Sequence, residues 1–369
     1  MSGSSLDGLD IVYVHLQEGI GGTGIADKKS RKWEYNIQQA VCYSYSEEWK
    51  ARLAGASSLS ARDYLLLHVE YGRYIGEAVL RFIQEHGLDY QVQLIVSHGH
   101  TAFHLPGQRM TAQLGDGATI AAVTSINVVS DLRSLDVALG GQGAPIVPIG
   151  EKLLFQGYEM FLNLGGIANI SAGEGSVFTA YDICPANRVL NELAGLAGKA
   201  FDEGGAMAAS GQVHEGLLNR LNNLSYYGQA YPKSLANEFG TEEILPMIRS
   251  GIEGGAFSLE DALRTYTEHI AIQIDLAATG FKKAEGPVKI LVTGGGAHNS
   301  FLIGRLKALL SDHVIDLEVP ESQLVDNKEA VIMALIGVLR WREENNVLAS
   351  VTGAVRDSIG GAFWIGQEG

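Results

Sequence analysis

The chain has 369 residues, of which 46% are hydrophobic and 19% charged, with a net charge of −15. These values are typical of a globular protein with two domains, and the acidity argues against a surface that binds nucleic acid. Two cysteines, Cys42 and Cys184, argue against a disulfide framework or a cysteine-based zinc site. Since we find neither a signal peptide nor an apolar run of about 18 residues, we expect a cytoplasmic protein without a membrane span.

The first half of the chain alternates strands with helices. Residues 8–17 alternate loosely between apolar and polar side chains and predict a strand. Ser60 is placed to cap a helix over residues 60–86. Shorter patterns predict a buried strand at 93–97, a small-residue helix at 117–124 and a strand at 127–130.

The second half begins near residue 158. Strands at 159–164 and 167–171 enclose a tight turn at Gly165-Gly166, and a long helix over 258–281 begins with Ser258 and Asp261 as a capping pair. The other predicted elements are helices at 189–196, 211–224, 300–310 and 329–343 and a strand at 289–293.

The two halves repeat one organisation. Each opens with a strand, a polar or glycine turn and a second strand, and then alternates strands with helices. Such a loose two-fold repeat predicts two mixed α/β domains of similar build. Because the first copy starts at its turn, we expect the strand that leads into this turn to be absent or cut short.

Glycine, at 46 residues, clusters at turns that follow apolar segments. Residues 2–10 offer backbone amides and hydroxyls to a phosphate, with Asp7 or Asp10 for Mg²⁺, although a frayed terminal loop explains them equally well. Gly165-Gly166 fits a structural β-turn. Gly294–Gly296 follows a buried strand and suits close approach of a nucleotide, but the Walker spacing and its lysine are absent.

Three polar groups are candidates for ligand binding or catalysis. Asp182 follows a strand and precedes a proline turn, where it either projects into a cleft or forms the turn. His98, His100 and His104 flank a turn with a spacing that does not fit zinc, so hydrogen bonding to a polar ligand is favoured and no metal ligand is predicted. Arg133 offers a planar fork to a carboxylate or sugar oxygens, or else braces a loop by pairing with an aspartate.

Taken in order, these segments resemble the anhydro-N-acetylmuramic acid kinases of the actin/hexokinase/Hsp70 superfamily, and the likeness covers nearly the whole chain. Its most specific parts are Gly140–Pro145 and Asn163–Asn169. The other matching segments are residues 1–8, 97–99, 113–117, 131–139, 170–171, Asp182, 201–205, 232–234, 294–296 and 329–330.

The resemblance implies an α/β fold with two actin/hexokinase-like (ribonuclease H-like) duplicated domains and a central nucleotide cleft. The expected N-terminal lobe covers residues 1–155 and is completed by residues 345–369. The expected C-terminal lobe covers residues 156–344.

The resemblance also implies an activity and a set of roles. The family uses ATP and water to convert 1,6-anhydro-N-acetylmuramic acid into N-acetylmuramic acid 6-phosphate in cell-wall recycling, so we expect ATP and Mg²⁺ as cofactors and a small amino sugar as substrate. A homodimer is left open. The β- and γ-phosphates are expected at Gly3, Ser4, Ser5, Leu6, Asp7, Gly8, Leu9 and Asp10, and the rest of the nucleotide at Gly165, Gly166, Gly294, Gly295 and Gly296. Asp182 is the expected general base with Glu329 as a second acid, and the sugar is expected at His98, His100, Thr101, Arg133 and Asn187.

Departures from the family pattern surround the expected sugar site. The family has Thr-Gly-Pro-Gly-Asn after the catalytic aspartate, where this chain has Ile-Cys-Pro-Ala-Asn at 183–187. A glutamine is replaced by His100, and a Thr-Gly-Arg segment by residues 235–237. A kinase for another amino or anhydro sugar is therefore an alternative. A second alternative, a non-enzymatic Hsp70-like nucleotide switch, is disfavoured because too few residues follow the last predicted helix for a peptide-binding domain.

Overall fold

The computed structural model describes residues 1–2, 6–19, 32–174, 177–230, 233–235, 238–282 and 286–366. Its contacts divide the chain into two compact units, Met1–Gln156 with Asn327–Gly369 and Gly157–Asp326. In the described ranges, no helix combines the length and apolarity that a membrane crossing requires.

The first unit opens with two long strands and continues with shorter strands and helices. In chain order they are β1 (Gly8–Gly19), β2 (Lys32–Ser44), α1 (Glu47–Ala54), α2 (Ala61–His86), β3 (Leu94–Val96), β4 (His100–Leu105), β5 (Met110–Leu114), α3 (Gly117–Thr124), β6 (Asn127–Ser130), α4 (Ser134–Ala138) and α5 (Pro148–Leu154).

The long helix α2 organises the core of this unit. It begins where predicted, because the Ser60 side chain accepts a hydrogen bond from the Asp63 N–H, and it ends at Gly87 in the left-handed conformation. Its apolar face, including Tyr71 and Phe82, is buried in the core. The helical spacing of these residues explains why the pattern predicted a single helix.

The second unit alternates strands and helices around one sheet. Its elements are β7 (Met160–Leu164), β8 (Ile167–Glu174), β9 (Val177–Pro185), α6 (Asn187–Gly195), α7 (Ala206–Ser210), α8 (Glu215–Asn222), α9 (Leu245–Glu253), α10 (Leu259–Phe281), β10 (Val288–Thr293), α11 (Ser300–Ser311) and β11 (Ile315–Glu318). The chain then forms α12 (Ser322–Trp341), α13 (Ala349–Thr352) and β12 (Ala362–Trp364).

The sheet of the second unit has the strand order β11-β10-β7-β8-β9. The strands β7, β8 and β9 are antiparallel neighbours, whereas β10 runs parallel to both β7 and β11. Helix α10, which has the predicted Ser258–Asp261 capping box, packs its buried face into this unit's core. The mixed α/β class is confirmed, and this sheet is the one that the ribonuclease H-like prediction requires.

The strands of the first unit form separate sheets. The strands β1 and β2 make an antiparallel pair with an irregularity between Tyr13 and Val14. Strand β6 lies between β3, to which it is parallel, and β12, to which it is antiparallel. The strands β4 and β5 form an antiparallel hairpin.

The last long helix differs from the prediction in its bounds and its unit. Helix α12 begins at Ser322, seven positions before the expected start, and residues 327–344 belong to the first unit although the predicted boundary assigns them to the second. Within the first unit, Lys328 of α12 forms a buried ion pair of 2.8 Å with Glu151 of α5. Arg340 also donates to the Gly361 carbonyl.

The prediction of one helix over 211–224 was wrong. Residues 211–214 lie between α7 and α8, and α8 begins only at Glu215. The His214 ring caps it, since its Nδ1 accepts a hydrogen bond from the Leu217 N–H at 3.0 Å.

Candidate active site

The Asp182 carboxylate lies near the end of β9 in the second unit. Its Oδ2 accepts a hydrogen bond from the Leu235 N–H at 2.9 Å, and its backbone N–H donates to the Lys233 carbonyl at 3.2 Å. Burial raises the pKa of Asp182, while the Leu235 hydrogen bond opposes this shift. The result is a fixed carboxylate that is more basic than an ordinary surface aspartate.

Two further side chains surround the backbone of Asp182. The Tyr226 hydroxyl donates to the Asp182 carbonyl at 2.5 Å. The Lys233 ammonium lies 4.5 Å from the centre of the Tyr226 ring and donates to the Tyr226 carbonyl at 3.2 Å. Burial lowers the pKa of Lys233. These contacts hold residues 233–235 against the end of β9.

The predicted glycine turns of the second unit lie at the end of the sheet where β9 also ends. The Gly165 carbonyl accepts from the Asn187 N–H at 3.1 Å, and the Asn187 side-chain amide donates to the Leu164 carbonyl at 2.9 Å. A side chain at Gly296 would contact both Leu164 and Asn187. Asn187, predicted to bind the sugar, is therefore grouped with residues predicted to bind the nucleotide.

The glycines of these turns differ in whether packing and backbone conformation require a residue without a side chain. Gly294 has φ of +85°, and a Cβ there would lie 2.4 Å from Asn163 Oδ1. In contrast, a Cβ at Gly165, Gly166 or Gly295 would meet nothing closer than 3.4 Å, and none of the three has a positive φ. Neither packing nor a positive φ therefore requires glycine at these three positions.

Arg133 and His98 form a direct pair in the first unit. The Arg133 guanidinium donates to His98 Nε2 from both Nε (2.9 Å) and Nη2 (2.8 Å), and Nη1 donates to the Gly143 carbonyl at 2.6 Å. His98 Nδ1 lies 3.1 Å from the Gly99 carbonyl, so the neutral tautomer with the proton on Nδ1 satisfies both contacts. Burial, aided by Arg133, lowers the pKa of His98 to about 3.

The loop that contains Gly143 is anchored by the buried Asp136. One carboxylate oxygen of Asp136 accepts from the Gly143 N–H at 2.8 Å, and the other accepts from the Thr352 hydroxyl at 2.7 Å. Since Gly143 also binds Arg133, the loop and the guanidinium are held in one arrangement. Asp136 was not among the predicted site residues.

A second polar cluster surrounds Ser2. The Ser2 hydroxyl lies 3.2 Å from His100 Nδ1 and accepts from the Tyr45 hydroxyl at 2.9 Å, which in turn lies 2.5 Å from the Tyr71 hydroxyl. His100 is thus held by the start of the chain, whereas Thr101 is exposed on β4.

The predicted phosphate segment is described only in part, because Gly3, Ser4 and Ser5 lie outside the described residues. Of the others, Leu6 and Asp7 precede β1, and Gly8, Leu9 and Asp10 are its first residues. The Leu9 side chain is a core residue with 3% exposure, so only its backbone could serve a ligand.

Two other predicted site residues of the first unit, Asp10 and Glu329, are carboxylates. Asp10 is opposite Cys42, whose pKa rises to about 12 through burial and the Asp10 contact. Glu329 is exposed on α12, and its charge acts to raise the pKa values of the Met1 amino group and Arg133, opposing their burial. Among the described residues, no group of three or more His, Cys, Asp or Glu side chains is placed to hold a metal ion.

The residues that hold the predicted site residues in place were not apparent from the sequence. Lys233 stood in a matching segment, but nothing in its pattern indicated that its backbone and that of Leu235 bind Asp182. Asp136 also stood in a matching segment, whereas Tyr226 carried no local signal. Their roles depend on pairings between positions 44 and 216 residues apart.

Comparison with known proteins identifies the family. The family model described as anhydro-N-acetylmuramic acid kinase matches residues 1–366. A protein of that name from Aliivibrio fischeri is 33% identical over 367 residues, covering 96% of this chain and 95% of the relative. One from Shewanella loihica is 31% identical over 378 residues, covering 100% and 98%.

Two solved structures are more distant. A ROK family glucokinase from Streptomyces griseus, in complex with glucose and AMPPNP, aligns with a TM-score of 0.38 and 11% identity over 88% of this chain and 99% of its own. The activator of 2-hydroxyisocaproyl-CoA dehydratase from Clostridium difficile, with bound ADPNP, aligns with a TM-score of 0.37 and 15% identity over 58% and 68%.

The fold and the site thus define an α/β protein whose second unit has the Asp182 carboxylate near the end of a strand and glycine turns that follow two other strands. From the match over residues 1–366, the chain belongs to the anhydro-N-acetylmuramic acid kinase family.

Proposed function

We propose that this protein is an ATP-dependent kinase that opens 1,6-anhydro-N-acetylmuramic acid with water and phosphorylates its O6, giving N-acetylmuramic acid 6-phosphate for cell-wall recycling. Membership of the family supports the substrate. The observation that carries the chemistry is the Asp182 carboxylate, which is fixed by Leu235 and made more basic by burial.

In the proposed reaction Asp182 acts as the general base. It takes a proton from a water molecule as the water oxygen bonds to the anomeric carbon and the bond from that carbon to O6 breaks. The freed O6 attacks the γ-phosphorus of ATP, and ADP leaves. The phosphate acceptor is itself the leaving oxygen, so no separate acid is needed at O6. A positioned base of this kind typically contributes about 10²–10⁴-fold in rate.

The glycine turns are the proposed nucleotide site. Gly165, Gly166 and Gly295 leave space beside the backbone, which fits close approach of ATP. When bound with the phosphates, Mg²⁺ neutralises their charge, and the side chains proposed to hold it are Asp7 and Asp10. Asn187, which is hydrogen-bonded to this region, is proposed to orient the turn beneath the ligand.

Arg133 is the proposed partner for the lactyl carboxylate of the sugar. Of the five N–H donors in a guanidinium, three are directed at His98 and Gly143 among the described residues, which leaves two for a carboxylate. His98 and the Asp136-anchored loop fix its orientation, while His100, Thr101 and Glu329 are proposed as further sugar contacts. A cytoplasmic location and a homodimer stay predictions.

The substrate is tested by measuring ADP release with and without 1,6-anhydro-N-acetylmuramic acid. We expect release that depends on the sugar, with one 6-phosphate sugar formed for each ADP. ADP release that is the same without the sugar, or faster with a different anhydro sugar, would refute the assigned substrate.

The base is tested by Asp182→Asn, which keeps an acceptor for the Leu235 N–H but removes the proton acceptor. We expect kcat to fall by at least about 10²-fold while the Kd for ATP stays within about twofold. Asp202→Asn, which changes a carboxylate that caps α7 through Met207 and Ala208, is the matched control for the loss of an acid in this unit. A wild-type kcat in Asp182→Asn would remove this residue from the mechanism.

A further inference from the structure

A histidine on α10 is buried in the core of the second unit. His269 is fully buried, and both of its ring nitrogens have a partner. Its Nδ1 lies 2.6 Å from Asn222 Oδ1, at the end of α8, and its Nε2 lies 2.9 Å from the Tyr227 hydroxyl. Burial lowers the pKa of His269 to about 3, so the ring is neutral.

The partners of His269 determine which of its nitrogens carries the proton. Asn222 Oδ1 also accepts a hydrogen bond from the Gln273 side-chain amide at 3.0 Å, so this oxygen is an acceptor for both residues. His269 therefore donates from Nδ1 and accepts the hydroxyl proton of Tyr227 at Nε2. The Tyr227 ring also meets the imidazole edge-on, with ring centres 5.0 Å apart. Both the ring and the hydroxyl of Tyr227 are thus held by His269.

Tyr227 connects this buried histidine to the candidate base. Its neighbour in the chain, Tyr226, donates to the Asp182 carbonyl, and the two tyrosine rings lie 5.7 Å apart. The Tyr226 carbonyl accepts from the Lys233 ammonium, and the Lys233 carbonyl accepts from the Asp182 N–H. A movement of the Tyr226–Tyr227 pair would therefore disturb the Asp182 backbone at both its carbonyl and its N–H.

A second side chain of α10 contacts the same strand end. The hydroxyl of the fully buried Tyr266, about one turn before His269, donates to the Pro185 carbonyl at 2.8 Å. Helix α10 thus holds the end of β9 directly through Tyr266 and indirectly through His269. An aliphatic side chain at position 269 would fill the core without polar atoms to satisfy, so the hydrogen bonds of His269 serve to fix a geometry.

We propose that His269 is a positioning residue for the general base. Through Tyr227 and Tyr226 it fixes the end of β9, so that the Asp182 carboxylate stays aligned with the attacking water. The inference rests on the role proposed for Asp182, and His269 itself touches neither the sugar nor the nucleotide. Because a misplacement of about 1 Å can cost about 10²-fold in rate, even a small loosening of this strand end is expected to be measurable.

The test removes one buried hydroxyl at a time from the second unit. Tyr227→Phe takes away the donor to His269 Nε2 and is expected to lower kcat about tenfold, with KM for ATP and for the sugar within about twofold. Thr267→Val is the matched control, because the Thr267 hydroxyl is also buried on α10 and donates to the Leu263 carbonyl within the helix. This control is expected to lower the urea unfolding midpoint by a similar amount and to leave kcat within about twofold. The same kcat in both variants would overturn the positioning role.

A double mutant separates this inference from the proposed mechanism. Because Tyr227 acts through Asp182, adding Tyr227→Phe to Asp182→Asn is expected to change the residual rate by less than about twofold. If Asp182→Asn alone keeps the wild-type kcat, the proposed base fails and this inference fails with it. If Asp182→Asn is impaired and Tyr227→Phe slows it about tenfold further, the positioning role is wrong and the base stands.

The tautomer of His269 gives a readout that does not depend on turnover. In nitrogen NMR spectra of the wild-type protein, the ring is expected to be neutral with its proton on Nδ1. Tyr227→Phe is expected to shift the Nε2 resonance, because this nitrogen loses its hydrogen bond. A proton on Nε2 in the wild-type protein would overturn the hydrogen bond from Tyr227 and with it the proposed route to Asp182.

Discussion

Gly294 and Gly295 are adjacent, but the structure gives them different reasons to be glycine. Gly294 has φ of +85° and ψ of 159°, a region that is nearly restricted to glycine and costs other residues about 1–3 kcal/mol. A Cβ there would also lie 2.4 Å from Asn163 Oδ1 and 2.9 Å from the Leu164 carbonyl carbon. Overpacking of this kind costs about 1–3 kcal/mol, so Gly294→Ala is expected to destabilise the second unit by about 2–6 kcal/mol.

Gly295→Ala is the matched substitution. Its Cβ would meet only Asn187 Nδ2, at 3.8 Å, and its φ is not positive. We therefore expect stability to be unchanged or higher by up to about 1 kcal/mol. The methyl group would occupy the space proposed for the nucleotide, so the Kd for ATP is expected to rise about tenfold or more.

Urea unfolding and ATP titration of both variants separate the two effects. The expected result is a lower unfolding midpoint for Gly294→Ala and weaker ATP binding with a normal midpoint for Gly295→Ala. An unchanged Kd in Gly295→Ala would refute the nucleotide at this turn. Equal midpoints for the two variants would refute the packing argument.

Three further predictions concern charged and titrating groups. Lys328→Met removes the ammonium from the buried ion pair with Glu151 and is expected to cost about 3–5 kcal/mol in urea unfolding, whereas adding Glu151→Leu is expected to restore part of this loss. Because burial raises the pKa of Asp182, kcat/KM is expected to fall on acidification at a higher pH than an ordinary aspartate would give, and a profile flat down to pH 4 would contradict this. His98, with a pKa lowered to about 3, is expected to remain neutral by NMR from pH 5 to 8; since its folded pKa lies below the unfolded one, its contribution to stability is lost as pH falls from about 6.5 towards 3.

The elements that depend on local signals could be predicted from the sequence. Helix α2 and helix α10 have a serine cap and a sustained apolar face, and both start within one residue of the prediction. The error at residues 211–214 arose because a histidine ring caps α8, which no composition rule anticipates. The sequence did not indicate that Lys328 of α12 is buried, because its partner Glu151 lies 177 positions away.

For the candidate site, the sequence indicated individual residues but not the contacts between them. The order of the glycine turns and Asp182 suggested a nucleotide and a base, and the pairing of Arg133 with His98 brings together two residues predicted for the sugar. Asn187 shows what the sequence could not specify. Its amide binds the Leu164 carbonyl beside the glycine turns, an arrangement that depends on the folded sheet rather than on its neighbours in the chain.

The contact between Asp136 and Thr352 can form only late in the synthesis of the protein, after Thr352 has been translated. The two residues are 216 positions apart, so translation from one to the other takes about 10–40 s, during which the loop at Gly143 lacks its second anchor. A nascent chain that has left the ribosome as far as Arg133 therefore cannot yet hold this residue in its final geometry. Binding of the sugar carboxylate, which is proposed for Arg133, is expected to become possible only after Thr352 has emerged and completed the first unit.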